Sequence, residues 1–331
     1  MQKSTFRRIA GVVLAILIAL ALSFFSFRVL AHRLAKRRAK DLRKDFPSAD
    51  VAMRFDSSQR VYAPIHGLNG SAYEYDVLHR KLVEPHWNFW TKDLPGHGDA
   101  RKNNRIPVTF EAIAEAELDA LIARMDAHGV EKVVGGGHSL GGGLALQMAK
   151  IADQRGRQVF SHLVLYEPVR TGKDIPLALR RAFIDGLYPL HLAARKRAFD
   201  EDMSALAVEV IHQGVKRAGH VARDRSRIAS EENMDTKKFS NAAADRYAWV
   251  QYILRYLEWD GEKALAGFPA DVPVLIVQGE LTKDDAVHQG EAFFRMLPDV
   301  TLVTFEGVAH QGLFREPERF INEAIRFVEI N

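Results

Sequence analysis

The chain has 331 residues, with 46 Lys and Arg against 42 Asp and Glu, a formal net charge of +4, and no cysteine. Zero cysteine excludes a disulfide framework, a thiolate nucleophile and thiolate-bound zinc, while 47% hydrophobic and 27% charged residues make the composition globular. Much of the small basic excess flanks an N-terminal apolar run, so it reads as membrane-flank charge, and no nucleic-acid partner is expected.

No residue from Ile9 to Phe27 is charged, and at 1.5 Å per residue that run is just long enough to cross a hydrocarbon core. It is expected to be an uncleaved transmembrane anchor within a 1–45 segment. A cleaved signal peptide ending near Ala19-Leu20-Ala21 is the competing reading. Lys3, Arg7 and Arg8 precede the run, whereas Arg28, Arg33, Lys36, Arg37, Arg38, Lys40, Arg43 and Lys44 follow it. The positive-inside rule then keeps the remainder of the chain cytoplasmic, although a short positive N-terminus also suits export. The bilayer itself is thus an expected partner.

Phe46-Pro47-Ser48 marks the start of a folded domain covering 46–331. Val51–Phe55 and Arg60–Ile65 read as strands, the second weakened by Pro64, which lacks an N–H for the ladder. Ala72–Leu82 is helical, Trp87–Thr91 a third strand, and Phe110–His128 an amphipathic helix with Ile113, Leu118, Leu121, Ile122 and Met125 inward. Strand Lys132–Gly136, helix Leu144–Ala152 and strand His162–Tyr166 follow. Alternation of this kind predicts a mostly parallel sheet covered by helices on both faces, an α/β fold. Residues 170–263 are helical in pattern and form an expected inserted lid. Strand Val274–Gln278, helix Asp285–Leu297, strand Val300–Phe305 and helix Pro317–Glu329 complete the chain. Ligands bind at the carboxyl edge of such sheets.

The segment Gly137-His138-Ser139-Leu140-Gly141 lies between a predicted strand and a predicted helix. A serine in so sharp a turn needs small neighbours, because its backbone passes close to adjacent chains. The helix start beyond it favours developing negative charge. His310, in Gly307-Val308-Ala309-His310, falls between the last strand and the last helix, where a loop can return an imidazole to Ser139. An ordinary pKa near 6.5 suits a group that takes and returns one proton.

Four features in order, His66-Gly67, Asp93-Leu94-Pro95-Gly96-His97-Gly98, the Ser139 turn and His310, resemble the α/β-hydrolase superfamily over nearly everything after Pro47. The resemblance implies an α/β-hydrolase fold, Ser139 as nucleophile and His310 as its base. It also implies an oxyanion hole made by the backbone N–H groups of Leu68 and Leu140, each typically worth about 3 kcal/mol. His66, His97 and His138 are expected to shape their loops and to transfer no proton. Gly135 and Gly136 stand where the superfamily has bulky residues, so this strand is expected to be packed unusually closely or to be less rigid.

The acid is ambiguous. The superfamily places it three residues beyond the glycine ending the next-to-last strand. Here that glycine is Gly279 and the position is Thr282. Asp284 and Asp285 follow, but Thr282-Lys283-Asp284-Asp285 also reads as a helix cap. Some relatives use the end of the preceding strand, where this chain has Glu167. The order of preference is Glu167, Asp284, Asp285.

The expected activity is hydrolysis of a carboxylic ester, lipid-like or acyl, through an acyl-enzyme and without a cofactor or metal. A thioesterase, a carbon–carbon hydrolase and an acyltransferase remain open on the same fold. So does a non-catalytic, membrane-tethered binding protein. Trp249, Tyr252, Tyr256 and Trp259, at helical spacing, read as lid core or as an apolar wall for an acyl chain. The arginine clusters Arg180-Arg181, Arg195-Lys196-Arg197 and Arg223–Arg227 read as solvated helix faces.

Overall fold

The computed structural model describes residues 55, 57–68, 70–82, 87–100, 106–174, 246–281, 291–310 and 312–331. The N-terminal apolar run, the strand expected at Val51–Phe55 before its last residue, residues 175–245 of the expected lid with its arginine clusters, and Asp284 and Asp285 lie outside them. Among the described residues no helix is long and apolar enough to cross a membrane.

Among the described residues, six parallel strands form one sheet: β1 (Val61–Ile65), β2 (Asn88–Phe89), β3 (Val133–His138), β4 (Phe160–Tyr166), β5 (Val274–Gly279) and β6 (Val300–Phe305), in the order β2-β1-β3-β4-β5-β6. The helices are α1 (Asp76–Leu82), α2 (Phe110–His128), α3 (Leu140–Gln154), α4 (Arg246–Glu258), α5 (Gly261–Ala264), α6 (Glu291–Phe294), α7 (Gly312–Arg315) and α8 (Pro317–Ile330). Strands β3, β4 and β5 are near-continuous apolar or glycine runs, as strands buried on both faces must be. Two apolar clusters result. One joins Leu118, Leu121 and Met125 of α2 and Leu144 and Met148 of α3 to Leu163, Leu165 and Ile276 of the sheet. The other joins Tyr62, Val164, Tyr166 and Val277 to Phe320, Ala324 and Phe327 of α8.

Pro64 does not weaken β1. Tyr62 accepts from Trp90 N–H (2.9 Å) and Arg60 from Asn88 N–H (2.7 Å), so even-numbered residues of β1 face β2. The β1–β2 register ends at the Tyr62–Phe89 pair, so the missing N–H of Pro64 falls where β2 has already stopped. The expected strand Trp87–Thr91 shortens to Asn88–Phe89 for the same reason, and the Ala72–Leu82 helix opens with a 3-10 turn, Ala72–Tyr75. Helix α2 has the expected bounds, capped by Thr109, whose Oγ1 accepts from Ala112 N–H at 3.0 Å.

Helix α3 starts four residues earlier than its pattern predicts, directly at Leu140. Its glycine run is in the helix because Pro168 and Val169 pack where side chains at Gly142 and Gly143 would sit. Gly135 and Gly136 are filled over by Phe160, Leu163 and Tyr62, so the close-packing alternative for β3 is the one observed.

In the described part of 170–263, Trp259 stacks on Phe110 (ring centroids 4.4 Å, 24°) and donates to Gln147 Oε1 at 3.2 Å. Tyr252, Tyr256 and Trp259 are buried. These three are core, and Trp259, just beyond α4, packs on α2 and α3; the side chain of Trp249 lies outside the described residues.

Candidate active site

Ser139 stands between β3 and α3 with φ 55° and ψ −118°, a conformation that costs a non-glycine residue on the order of 1–3 kcal/mol. The surroundings hold it there. Ser139 N–H donates to Tyr166 O (3.0 Å), and Ser139 O accepts from the N–H groups of Gly142, Gly143 and Val169 at 3.0–3.2 Å. A side chain at Gly141 would run into the carbonyl oxygens of Ile65 and His66, so the turn sits against the end of β1. Ser139 itself is half-buried, and Leu140 begins α3.

The loop after β1 lies against this turn. A Cβ at Gly67 would be 3.0 Å from His138 Nδ1 and 3.4 Å from Ser139 Cβ. His66 orders the loop from both ring nitrogens. Leu94 N–H donates to its Nε2 (3.0 Å), so the ring proton is on Nδ1, 2.9 Å from Gly67 O. His97 lies 4.9 Å from the His66 ring, its Nδ1 3.1 Å from Pro95 O. Burial pushes the His97 pKa down to about 3, so it is neutral. Neither histidine is arranged for proton transfer. Gly67 N–H is engaged by Glu74 Oε1 at 3.0 Å, which leaves the N–H of Leu68, half-buried, as the next donor on this loop.

His310 meets Glu167. Nδ1 of His310 lies 2.6 Å from Glu167 Oε2, and Glu167 Oε1 accepts from Gly279 N–H at 2.8 Å. The carboxylate is fully buried, whereas the imidazole is 26% exposed. Glu167 is a second non-glycine residue at positive φ, 42°, held by its N–H to Val277 O (2.9 Å). The His310 loop is fixed by Tyr166, whose hydroxyl donates to Ala309 O (3.0 Å), and by His138, whose Nε2 lies 3.0 Å from His310 O. The His138 and His310 rings are 4.6 Å apart, which sets His310 beside the residue preceding Ser139.

Ser139 and Leu140 follow β3, Leu68 follows β1, Glu167 follows β4 and His310 follows β6, so all five lie beyond the carboxyl ends of parallel strands. Asp284 and Asp285 lie outside the described residues, and the glycine that pointed toward them, Gly279, donates to Glu167. Glu74, Tyr166 and the Gly279 N–H went unnoticed in the sequence. Only the position of Tyr166 beside Glu167 hinted at any of them, since the contacts join residues far apart in the chain. Among the described residues no group of His, Asp and Glu is arranged to hold a metal ion.

The chain is similar to known proteins. An uncharacterized protein of Mycobacterium tuberculosis is 25% identical over 292 residues, covering 84% of this chain and 78% of that protein. A pimeloyl-[acyl-carrier protein] methyl ester esterase of Neisseria meningitidis is 25% identical over 283 residues, covering 83% and 95%. Among solved structures, MenH from S. aureus superposes with a TM-score of 0.60 at 16% identity, covering 83% of this chain and 96% of that one. The alpha/beta hydrolase family profile matches residues 65–324, and the chain belongs to that family.

Proposed function

We propose that the chain is a serine hydrolase of carboxylic esters, with Ser139 as nucleophile, His310 as base and Glu167 as acid. The observation that carries this reading is the buried Glu167 carboxylate 2.6 Å from His310 Nδ1, on a loop anchored to the residue before a strained serine. Ser139 Oγ attacks the ester carbonyl carbon as its proton passes to Nε2 of His310. The oxyanion is received by the N–H groups of Leu68 and Leu140. Glu167 fixes the imidazole with its proton on Nδ1 and stabilises the imidazolium. Collapse returns the proton to the departing alkoxide, and water repeats the sequence on the acyl-enzyme to release the acid. The methyl ester named for the Neisseria relative supports an ester over an amide.

A fluorophosphonate probe tests the nucleophile. Wild type is labelled and Ser139→Ala is not; a wild type that resists labelling supports a non-catalytic binding protein instead. A chain-length series of esters and thioesters, with alcohols added as acceptors, separates an esterase from a thioesterase, an acyltransferase and a carbon–carbon hydrolase. An apolar, lipid-like acyl group is the proposed substrate, and preference for short water-soluble esters would count against it. The anchor reading of residues 1–45 and the lid reading of 170–263 rest on the sequence pattern. Membrane fractionation of the full chain against residues 46–331 tests the anchor.

A further inference from the structure

Tyr166 is fully buried at the end of β4, between Glu167, which follows it in the chain, and the loop that carries His310. Phe305, Phe320 and His138 stand around its ring, at centroid separations of 6.4, 6.0 and 6.0 Å. A phenylalanine would fill this space without burying a hydroxyl, and a buried hydroxyl costs free energy unless it is bonded. The hydroxyl therefore contributes through what it bonds. It donates to Ala309 O at 3.0 Å.

Ala309 O also accepts from Gly312 N–H, at 2.8 Å. His310 thus stands in a turn whose closing carbonyl is held by the phenol. The fit is close from the other side as well, because a Cβ at Gly312 would fall on the Tyr166 hydroxyl oxygen. Gly312 has no positive φ, so its backbone would accept alanine, and the hydroxyl is the main obstacle to a side chain there. Tyr166 reaches the other two members of the site through its backbone. Its carbonyl oxygen accepts from Ser139 N–H at 3.0 Å, and its peptide leads into Glu167, whose carboxylate meets His310 Nδ1 at 2.6 Å.

We propose that Tyr166 is a positioning residue of the hydrolase site, its hydroxyl matched to the bare Cα of Gly312 and setting the length of the Glu167–His310 hydrogen bond by holding the turn on which His310 stands. Any shift of that turn moves His310 against Glu167, which β4 and the Gly279 N–H keep in place. The kinetic part of this inference rests on the serine-hydrolase reading; the dependence of the Glu167–His310 bond on Tyr166 does not.

The test uses the full chain and Tyr166→Phe, which removes the oxygen alone. With a short-chain p-nitrophenyl ester, kcat is expected to fall about tenfold while KM stays within about twofold, the pattern of an interaction expressed in the transition state. The proton of so short a charge-assisted bond resonates far downfield in histidine-¹⁵N-edited spectra. With His310→Asn for assignment, that proton is expected to move upfield in Tyr166→Phe. Gly312→Ala probes the same contact from the turn. It is expected to lower kcat about tenfold in wild type and by less than about threefold when added to Tyr166→Phe, as coupled neighbours require. Wild-type kcat in Tyr166→Phe overturns the proposal, as does an unmoved downfield proton or an equal loss from Gly312→Ala in the two backgrounds. If Tyr166→Phe does not fold, the same proton compared between wild type and Gly312→Ala decides, and its staying in place overturns the proposal. A wild type with neither esterase activity nor phosphonate labelling removes the proposed function instead, and the spectra alone then judge the Glu167–His310 bond.

Discussion

Glu167 shows how much one residue's surroundings do. Its carboxyl group has one oxygen on Gly279 N–H and the other on His310 Nδ1, at 2.8 and 2.6 Å, in a fully buried position. Hydrogen bonds of that kind stabilise the ionised form and orient the imidazole. Glu167→Gln is expected to lower ester kcat on the order of 10³-fold or more, since the amide can present N–H to the ring and favour the wrong tautomer. Asp284→Asn is expected to leave kcat within about twofold of wild type, because the glycine beside its strand already serves Glu167. Steady-state kinetics on the two variants check both; full activity in Glu167→Gln with loss in Asp284→Asn would reverse the assignment. At this scale the chain was partly legible. Ser139 and His310 stood out by their glycine-flanked contexts, and Glu167 by its place at a strand end. Glu74 did not, because nothing between Ala72 and Asp76 distinguishes an inward carboxylate from a solvated one.

Among elements, the junction of β3 with α3 is the least forgiving. Gly141 faces the backbone oxygens of Ile65 and His66, which no side-chain motion relieves. Gly141→Ala is expected to destabilise the domain by about 3 kcal/mol or more, through overpacking against backbone. The urea midpoint, or loss of soluble protein, measures it. The α4 end is joined to the core through Trp259, stacked on Phe110 and bonded to Gln147. Trp259→Ala is expected to cost roughly 3–5 kcal/mol from the cavity left behind, with activity per folded molecule largely kept because Trp259 is core. The element boundaries that pattern missed are instructive. Glycines are poor helix formers, so Gly141–Gly143 argued for a later helix start. The packing of Gly141 on the end of β1, of Gly142 on Pro168 and of Gly143 on Val169 outweighs that propensity.

For the whole molecule, the buried histidines make stability depend on pH. His97 has an ordinary pKa of 6.5 when unfolded and about 3 in the fold, from burial; burial also lowers His162. A depressed histidine means that below pH 6.5 the unfolded chain binds a proton which the native state refuses. This contribution is therefore complete above about pH 6.5 and is lost as pH falls toward 3. Between pH 6.5 and 4.5 it amounts to about 2–3 kcal/mol for His97. Asp93 and Glu117, raised by burial, act in the opposite sense and gain stability on protonation. The variant isolates the histidine: His97→Asn is expected to show a smaller loss of unfolding free energy between pH 7 and pH 4.5 than wild type, by that amount. An equal loss in both proteins would remove the assignment.

The alternation of apolar runs with amphipathic stretches was enough to call for a parallel sheet between helices, since a strand buried on both faces leaves its mark locally. The glycine-flanked serine and the late histidine were readable for the same reason: each needs particular neighbours in the chain. The choice among carboxylates was of another kind. Glu167 meets His310 across 143 positions, and Glu74 meets His138 through a loop folded around it. Such meetings depend on strand order and on how loops close over the sheet edge, and those are properties of packing in three dimensions that no local pattern encodes.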